Sequence, residues 1–277
     1  MAASIKQLHL IANTIRQDII KMLANAGSGH SAGPLGMADV FTALYFSVLK
    51  HQPKHPNWEN RDILVLSNGH ICPVLYATLS HAGYFPKEML MTLRKLGSSL
   101  QGHPHRGTLP GIETTSGPLG SGLSQGIGMA LALKIDKRKN RVFVLTSDGE
   151  HEEGNTWEAI MLAPKYKLTN LTVLVDRNYI QIDGNTEDIC PLESLKKKYE
   201  AFNWLAEEIN GNDPGAIIKA CNKKNTKPTA IICKTTPGKG VSFMEGKYEW
   251  HGKPPKPEEA QKALKELQMQ RRKLEND

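Results

Sequence analysis

The segment from Arg141 to Asn155, RVFVLTSDGEHEEGN, passes directly from an apolar run into an aspartate, a glycine and a group of carboxylates. The apolar run shows no polar alternation, which predicts a strand buried on both faces of a sheet over 141–147. A helical pattern over 155–166 follows. Asp148 therefore stands at the carboxyl end of a buried strand, the edge at which open α/β sheets bind ligands.

Apolar, β-branched runs and helical patterns alternate along the rest of the chain. The further predicted strands are 62–67, 171–176 and 229–235. The further predicted helices are 37–50, 72–82, 120–136 and 213–223. Such an alternation predicts a three-layer α/β sandwich, in which helices cover both faces of a mostly parallel sheet.

The composition is that of an ordinary globular protein. The chain has 277 residues, of which 39% are hydrophobic and 23% are charged, and this length is near the upper limit for one domain. The four cysteines form no CxxC pair, which indicates reduced thiols and a cytoplasmic protein. The apolar residues of 5–23 recur at helical spacing between charged residues, which indicates an amphipathic surface helix and not a signal segment.

The net charge of +7 raises the question of a nucleic-acid partner. The surplus lies in the short runs 196–198, 223–224 and 271–273, and acidic residues neighbour most of them. The aromatic interleaving that single-strand binders use is missing. We therefore expect solvated helix faces and no nucleic-acid binding. No uninterrupted apolar run approaches membrane-spanning length, so no membrane association is expected.

Asp148 and Asn178 lie thirty positions apart, with one predicted helix and one predicted strand between them. This is about the minimum length for a βαβ unit, so both residues are expected at the same edge of a parallel sheet. A carboxylate, an amide oxygen and a backbone carbonyl form an incomplete oxygen set for Mg²⁺, which commonly takes its remaining ligands from water and phosphates. Gly149 lets the backbone approach a phosphate closely. Singly these are turn residues; at this spacing they predict a site for a diphosphate and its metal.

Two segments around these residues resemble the motif of a known cofactor family. SDGEHEEGNTWEA and DRNYIQIDG resemble the thiamine diphosphate motif, which begins Gly-Asp-Gly and ends in Asn, with Ser147 where the first glycine usually stands. GSGHSAGPLGMAD, LSNGH, GHP and TTSGPLGSGLSQGIGMA resemble transketolase in their order and spacing. The resemblance covers about residues 5–255. It implies a thiamine diphosphate-binding domain over 1–255 and leaves 256–277 as a charged helical tail, either an arm across a partner or a solvated helix.

The resemblance also implies a set of site residues. The metal, Mg²⁺ with Ca²⁺ or Mn²⁺ as alternatives, would be held by Asp148, Asn178 and the backbone carbonyl of Ile180. The residues implied to contact the cofactor are His70, Gly117, Leu119, Asp148, Gly149 and Asn178. The histidines implied to act on the substrate are His30, His103 and His251. Histidine suits this work because it titrates near neutrality and can both donate and accept a proton.

In this family a glutamate from another domain activates the cofactor, and the same domain provides the pyrimidine pocket and the arginines for the sugar phosphate. No second α/β pattern occurs in this sequence. The resemblance therefore implies the N-terminal subunit of a split transketolase, completed by a C-terminal (pyrimidine-binding) subunit in a cytoplasmic heterotetramer. The implied reaction transfers a two-carbon ketol unit from a ketose phosphate, such as xylulose 5-phosphate, to an aldose phosphate, as in the pentose phosphate pathway.

Besides a nucleic-acid-binding module, which the basic charge suggests but which lacks any reading element, two other functions stay open on the sequence alone. One is a role within another thiamine diphosphate enzyme, similar to 1-deoxyxylulose-5-phosphate synthase or to a 2-oxo acid dehydrogenase subunit, although GPLGSG and LSNGH look like transketolase. The other is a catalytically silent scaffold that binds a partner, and the intact set of metal and histidine positions argues against it. GPLGSGLSQGIG also resembles a dinucleotide fingerprint, but no convincing strand precedes it and no acidic residue follows at ribose distance.

Overall fold

The computed structural model describes residues 3–276. The strands are β1 (Ile63–Leu66), β2 (Val142–Ser147), β3 (Leu171–Arg177), β4 (Ile180–Gln181), β5 (Gly184–Asn185), β6 (Leu205–Asn210) and β7 (Thr229–Lys234). In this part of the chain, the central sheet has the order β1–β2–β3–β7–β6, and all its neighbouring strands are parallel. β4 and β5 form a separate short hairpin. The predicted fold class is confirmed.

Helices cover both faces of this sheet. They are α1 (Ile5–Ala26), α2 (Ala32–Ala43), α3 (Cys72–His81), α4 (Ser121–Ile135), α5 (Gly154–Lys165), α6 (Thr186–Ile189), α7 (Leu195–Ala201), α8 (Pro214–Cys221) and α9 (Pro257–Asn276). One face packs on α1, α2, α3, α8 and α9, and the other packs on α4, α5 and α7. Among residues 3–276, no helix is both long enough and apolar enough to cross a membrane.

Strand β2 shows why the central strands are apolar throughout. Phe143 and Leu145 point into the core under α1–α3, whereas Val142 and Val144 point into the core under α4 and α5. Successive side chains of a strand alternate between the two faces of a sheet, so both sets are buried. Each such side chain contributes roughly 1.5–3 kcal/mol when it is fully buried.

Strand β6 was not predicted from the sequence. It pairs only with β7, at the edge of the sheet, and none of its residues is fully buried. Its sequence LAEEIN carries Glu207 and Glu208, which form ion pairs with Lys223 and Lys234 on the surface. An edge strand with charged side chains resists pairing with another chain, and the same charges hide the strand from a search for apolar runs.

The predicted tail over 256–277 is helix α9 up to Asn276, and it packs along α1. Ala263 and Leu267 are fully buried in the same core as α1. The Asn13 side chain donates a hydrogen bond to the Leu267 carbonyl at 3.0 Å, and Arg271 donates one to the Thr14 hydroxyl at 2.6 Å. The helix is therefore neither an extended arm nor fully solvated in this structure, and α1 is largely covered. The domain boundary at 255 stays a prediction.

Candidate functional site

The carboxyl edge of the sheet places the two halves of the diphosphate motif side by side. Strand β2 ends at Ser147, immediately before Asp148, and β3 ends at Arg177, immediately before Asn178. Ser147 and Asp176 are partners in the parallel register. The convergence expected for a βαβ unit therefore occurs, although thirty positions separate Asp148 from Asn178.

A cleft of about 470 Å³ opens at this edge. Its lining consists of His30, His70, His103, Gly117, Leu119, Ser147, Gly149, Glu152, Glu153, Asn178, Ile180, Gln181, Ile182, Asp183 and His251. All the residues that the sequence singled out for the site are in this set except Asp148, which is fully buried next to Gly149. The structure thus brings the predicted residues together; the role of each stays a prediction.

Three of the histidines form a compact cluster. The ring centroids of His30 and His70 are 4.9 Å apart, those of His70 and His251 are 5.1 Å apart, and those of His30 and His251 are 5.5 Å apart. The three residues come from the segments before α2, before α3 and after β7. His103 reaches the same cleft from a loop between α3 and α4. No local sequence pattern could indicate that these four histidines line one cleft, because they lie in four segments that are far apart in the chain.

The histidines of the cleft are neutral at neutral pH. Burial lowers the pKa of His30 to about 4, with smaller contributions from the charges of His251, Arg94 and His103. Burial also lowers the pKa of His70 well below its ordinary value, and it lowers the pKa of His103 and of His251. A neutral imidazole donates one hydrogen bond and accepts another, which suits the recognition of hydroxyl groups.

Asp148 is held in place by several donors. Its Oδ1 accepts a hydrogen bond from the Gly149 N–H at 2.8 Å, and its Oδ2 accepts from the Tyr179 N–H at 2.7 Å and from Arg177 Nη1 at 3.1 Å. Burial raises the pKa of Asp148 to about 6, and the Arg177 guanidinium opposes that rise. The orientation of the carboxylate is therefore fixed before any cation is present.

Arg177 connects Asp148 to the segment after the β4–β5 hairpin. Its guanidinium is almost fully buried, stacks on Tyr179 with its Cζ 3.9 Å from the ring centroid, and also binds Glu187 and, at 2.9 Å, Glu193. Burying a guanidinium is costly unless its donors are paired; here three carboxylates and the Thr186 hydroxyl pair Nη1 and Nη2, while Nε has no partner among the described residues. Sequence reasoning missed this residue because its carboxylate partners lie ten to twenty-nine positions away.

Asn178 is oriented in a similar way. Its Nδ2 donates to Asp176 Oδ2 at 2.8 Å, and its Oδ1 accepts from the Ile180 N–H at 3.0 Å. Burial raises the pKa of Asp176 to about 7, and the Thr235 hydroxyl bonds its other oxygen. An amide oxygen has two lone pairs, so Asn178 Oδ1 keeps one for a cation.

The oxygen set fits a cation that takes further ligands from outside the protein. Residues 3–276 contain no group of three histidine, cysteine, aspartate or glutamate side chains close enough to hold a metal. Asp148, Asn178 and the Ile180 carbonyl offer one charged and two neutral oxygens. Mg²⁺ is commonly bound in this way, through one or two carboxylates plus phosphates and water, whereas a closed zinc site is excluded for the described residues.

The cleft also has room for a phosphate-bearing ligand beside Gly117 and Gly149. A Cβ on Gly149 would lie 3.3 Å from the Gln181 Cβ, so this position is narrow, and a Cβ on Gly117 would meet no atom within 4 Å. Two buried atoms of the lining, His30 Nδ1 and Glu152 Oε1, have no hydrogen-bond partner among the described residues. Unpaired buried polar atoms are costly; a ligand could pair with His30 Nδ1, whereas the Glu152 oxygen only accepts and needs a donor or a cation, not a phosphate oxygen.

The charge of the lining is unusual for a phosphate site. Its ionisable side chains besides histidine are Glu152, Glu153 and Asp183, and no lysine or arginine lines the cleft within residues 3–276. A diphosphate alone would therefore enter a region of like charge. The geometry accepts a phosphate, while the charge favours one that is already bound to a cation.

Glu150 is a further residue that sequence reasoning missed. It is fully buried, and it accepts hydrogen bonds from the Ser67 hydroxyl, the Gly120 N–H at 2.5 Å and the Ser147 N–H at 3.3 Å. These donors come from the ends of β1 and β2 and from the loop before α4. Glu150 therefore fixes the Gly117–Gly120 loop against the sheet. The one feature of the sequence that could have indicated its role is its position directly after Asp148 and Gly149.

Comparison with known proteins gives a family match and closely related chains. Residues 7–275 match the family model described as transketolase, thiamine diphosphate binding domain. The chain is 40% identical over 276 residues to one of the subunits of apulose-4-phosphate transketolase from Phocaeicola vulgatus, covering 99% of this chain and 98% of that one. It is 42% identical over 243 residues to a 6-deoxy-6-sulfo-D-fructose transketolase subunit of Clostridium sp., covering 87% and 88%.

Solved structures agree with this match. A transketolase variant from Pichia stipitis superposes with a TM-score of 0.88 at 34% identity, over 97% of this chain and 41% of that one. Transketolase from Leishmania mexicana superposes with a TM-score of 0.87 at 32% identity, over 100% of this chain and 46% of that one. The chain thus spans less than half the length of these two structures.

Proposed function

The chain belongs to the transketolase family of thiamine diphosphate-dependent transferases, and on that basis we propose that it is the N-terminal subunit of a two-chain ketol transferase. The observation that carries the proposal is the cleft, in which histidines from four separate segments face Gly149 and Asn178 of the diphosphate motif. The metal, the partner chain and the sugar substrates are parts of the proposal.

In this proposal Mg²⁺ is held by Asp148, the Asn178 side-chain oxygen and the Ile180 carbonyl. The backbone at Gly149 receives the diphosphate, because no Cβ stands in the way and the chain enters a helical turn there. The acidic lining of the cleft supports a divalent cation, since a bare diphosphate would be repelled and a metal-bound one would not.

When bound, thiamine diphosphate supplies the carbanion that carries the two-carbon unit. The histidines of this chain orient the sugar and move its protons. His30, His70 and His251 are in mutual contact, and His103 lies across the same cleft. Because their pKa values are lowered, they meet the ketose hydroxyls as neutral groups that can accept a proton and return it.

We place the partner chain against the outer face of α4 and α5. Ile135 is 69% exposed and Met161 is 58% exposed, and Leu162 beside it is also exposed. The outer face of α4 carries Ala132 and Ile135 beside the polar Ser124, Gln125 and Lys134, and exposed apolar side chains on packed helices are typical of protein–protein contacts. Two relatives named as transketolase subunits, matched over 97% and 98% of their own length, support a two-chain enzyme; a heterotetramer in the cytoplasm belongs to the proposal.

The proposed donor is a ketose phosphate, with xylulose 5-phosphate as the first to test and an aldose phosphate as acceptor. The names of two relatives point to other donors, apulose 4-phosphate and 6-deoxy-6-sulfo-D-fructose. The described lining of the cleft offers no lysine or arginine for a phosphate or sulfonate end. The groups that bind this end would therefore belong to the partner, so the donor has to be identified with the assembled enzyme.

The test is a pull-down of the tagged chain from its own cell extract with Mg²⁺ and thiamine diphosphate. The eluate is assayed for consumption of xylulose 5-phosphate in the presence of ribose 5-phosphate, and the two alternative donors are assayed in parallel. An Asp148→Asn chain, purified in the same way, is the control for metal-dependent cofactor binding.

Activity that appears only with a co-purifying second chain would support the proposal and identify the partner. Cofactor binding without any turnover would favour a silent scaffold. Turnover of a 2-oxo acid instead of a ketose would place the chain with another thiamine diphosphate enzyme. Absence of cofactor binding, even with the partner present, would contradict the roles given to Asp148 and Asn178.

A further inference from the structure

Arg94 lies between the two loops that carry His30 and His103. Gly29 directly precedes His30, and Gly102 directly precedes His103. A Cβ on Gly102 would lie 2.7 Å from Arg94 Cζ, and a Cβ on Gly29 would lie 3.5 Å from Arg94 Nε. The guanidinium of the exposed Arg94 therefore fills the space beside Gly102, and it lies at van der Waals distance from the space beside Gly29, where the Leu23 side chain is nearer.

Hydrogen bonds fix the His103 side of this contact. The Gly102 carbonyl accepts from Arg94 Nη2 at 3.3 Å and from the Cys72 thiol at 3.2 Å, and the Tyr76 hydroxyl donates to the Gln101 carbonyl at 2.9 Å. Cys72 and Tyr76 belong to α3, so the backbone before His103 is held from the helix on one side and by Arg94 on the other.

The backbone of Arg94 is itself constrained. Its φ is 59°, in the left-handed region that residues with a Cβ rarely adopt. The Arg94 N–H donates to the Leu100 carbonyl at 2.9 Å, which closes the loop between them. Such a conformation persists only where the surrounding structure imposes it, and it is concentrated near functional sites. Here it directs the guanidinium toward Gly29 and Gly102.

We propose that Arg94 is a positioning residue for ketol transfer, which holds the loops of His30 and His103 at a fixed separation so that both histidines reach the same sugar. This inference rests on the proposed function. Arg94 does not line the cleft, so it acts through the two histidines and not by touching the substrate. Neither glycine could carry a side chain without crowding its surroundings, and at Gly102 the crowded group is the guanidinium itself.

The charge of Arg94 has a second effect on the same histidines. After burial, the guanidinium is the next cause that lowers the pKa of His103, and it also contributes to lowering the pKa of His30. The other titratable groups whose charges interact with His103 across the cleft are His30 and His70. Arg94 therefore helps to keep His103 neutral, and this provides a readout that does not depend on turnover.

The kinetic test uses Arg94→Ala, Arg94→Lys and Gly102→Ala in the assembled enzyme. Gly102 has no positive φ, so alanine fits its backbone, and the new Cβ moves the guanidinium while leaving it in the protein. Arg94→Ala and Gly102→Ala are each expected to lower kcat/KM for the ketose donor by about tenfold, because small displacements of positioned groups have effects of this size or larger. The affinity for Mg²⁺ and thiamine diphosphate should stay within about twofold.

The double variant decides whether the two changes act through one contact. Arg94→Ala together with Gly102→Ala should be about as active as Arg94→Ala alone, because no guanidinium remains to be displaced. Arg106→Gln, on the same loop as His103, is the matched control and should keep wild-type kinetics. Fully additive losses, or wild-type kinetics in Arg94→Ala, would overturn the proposal.

Histidine titration by NMR tests the same inference without activity. With ¹³C-labelled histidine, the His103 signal, assigned with His103→Asn, should titrate at higher pH in Arg94→Ala than in the wild type. Arg94→Lys keeps the positive charge, so the His103 pKa should stay low, while kcat/KM should remain below the wild-type value. Wild-type kcat/KM in Arg94→Lys would mean that the planar guanidinium is not needed to hold the two loops apart. If no complex transfers a ketol unit, the proposed function fails, while an unchanged His103 titration in Arg94→Ala would separately refute the Arg94 contact.

Discussion

Replacing Asp148 with asparagine is expected to remove the divalent cation while leaving the fold in place. Asp148 is the one carboxylate of the predicted metal set, so the variant keeps the shape of the side chain and loses the only charged ligand in that set. Changes around the ligands of a metal already weaken binding 10–100-fold, so loss of the charged ligand should weaken it by about 100-fold or more, or about 3 kcal/mol.

The structure also indicates how much stability the Asp148→Asn variant should lose. After the change, Nη2 of the buried Arg177 keeps Glu187 and Glu193 as partners, and Nη1 keeps the Thr186 hydroxyl. The hydrogen bonds that Asp148 accepts from Gly149 and Tyr179 become weaker, and one of them faces an amide nitrogen in the variant. We expect a loss of about 1–3 kcal/mol in the free energy of unfolding, which leaves most of the protein folded.

Glu150→Gln is the matched control. Glu150 is as fully buried as Asp148, carries the same charge two positions along the chain, and also accepts three hydrogen bonds. It contacts the loop before α4 and belongs to no predicted metal set. Its substitution should cost a similar amount of stability and change metal affinity less than about threefold.

The assay is an electron paramagnetic resonance titration of Mn²⁺ with thiamine diphosphate and the partner chain, since free and bound Mn²⁺ give distinct signals. Chemical denaturation of each variant measures stability separately. Wild-type Mn²⁺ affinity in Asp148→Asn would refute the metal assignment. Equal losses of affinity in Asp148→Asn and Glu150→Gln would mean that general damage to the edge of the sheet, and not ligation, is responsible.

Three other changes have defined outcomes. His103→Ala should slow ketol transfer at least tenfold with unchanged cofactor affinity; calorimetry with Mg²⁺-thiamine diphosphate and initial rates check this, and a fully active variant removes His103 from the site. Burial lowers the pKa of His151 to about 4, so its contribution to stability is present above pH 6.5 and is lost as the pH falls toward 4. The wild type should therefore lose about 2 kcal/mol more than His151→Gln between pH 7 and pH 5, by urea unfolding, and parallel curves would contradict this. Gly120 has a φ of 78°, and a Cβ there would overlap Asn155 Oδ1, so Gly120→Ala should lower the free energy of unfolding by at least about 2 kcal/mol. Adding Asn155→Ala to that variant should recover only part of the loss, because the strained φ remains. An unchanged melting temperature in Gly120→Ala would show that this loop readily rearranges.

The layers of the fold could be predicted from the sequence. β2, β3 and β7 are apolar on both faces because helices cover both sides, and this burial makes them visible as continuous runs. β6 is invisible to the same criterion, because it is an edge strand whose side chains reach solvent. The packing of α9 is equally hard to predict, because its apolar residues form a narrow stripe and the surface that it covers on α1 lies some 250 positions away.

For the site, the sequence predicted the meeting of Asp148 and Asn178 because parallel strands end at the same edge. The histidine cluster followed from resemblance alone, since no spacing rule connects His30 to His251. Arg94 and Arg177 were not foreseen, and for the same physical reason. Each acts by filling space or pairing charge between segments that meet only after folding, and a side chain of this kind looks like any other charged residue in a linear sequence.

The neutral histidines of the cleft have a thermodynamic consequence for whatever binds there. Desolvation holds His30 and His70 in their uncharged forms, and a bound anion favours the charged form and so works against that desolvation. Because the anionic end of the sugar is expected at the partner chain, these imidazoles should meet only hydroxyls and stay neutral, so the heat of sugar binding should not change with the ionisation enthalpy of the buffer. The empty and filled forms of the cleft should therefore carry the same charge on these histidines.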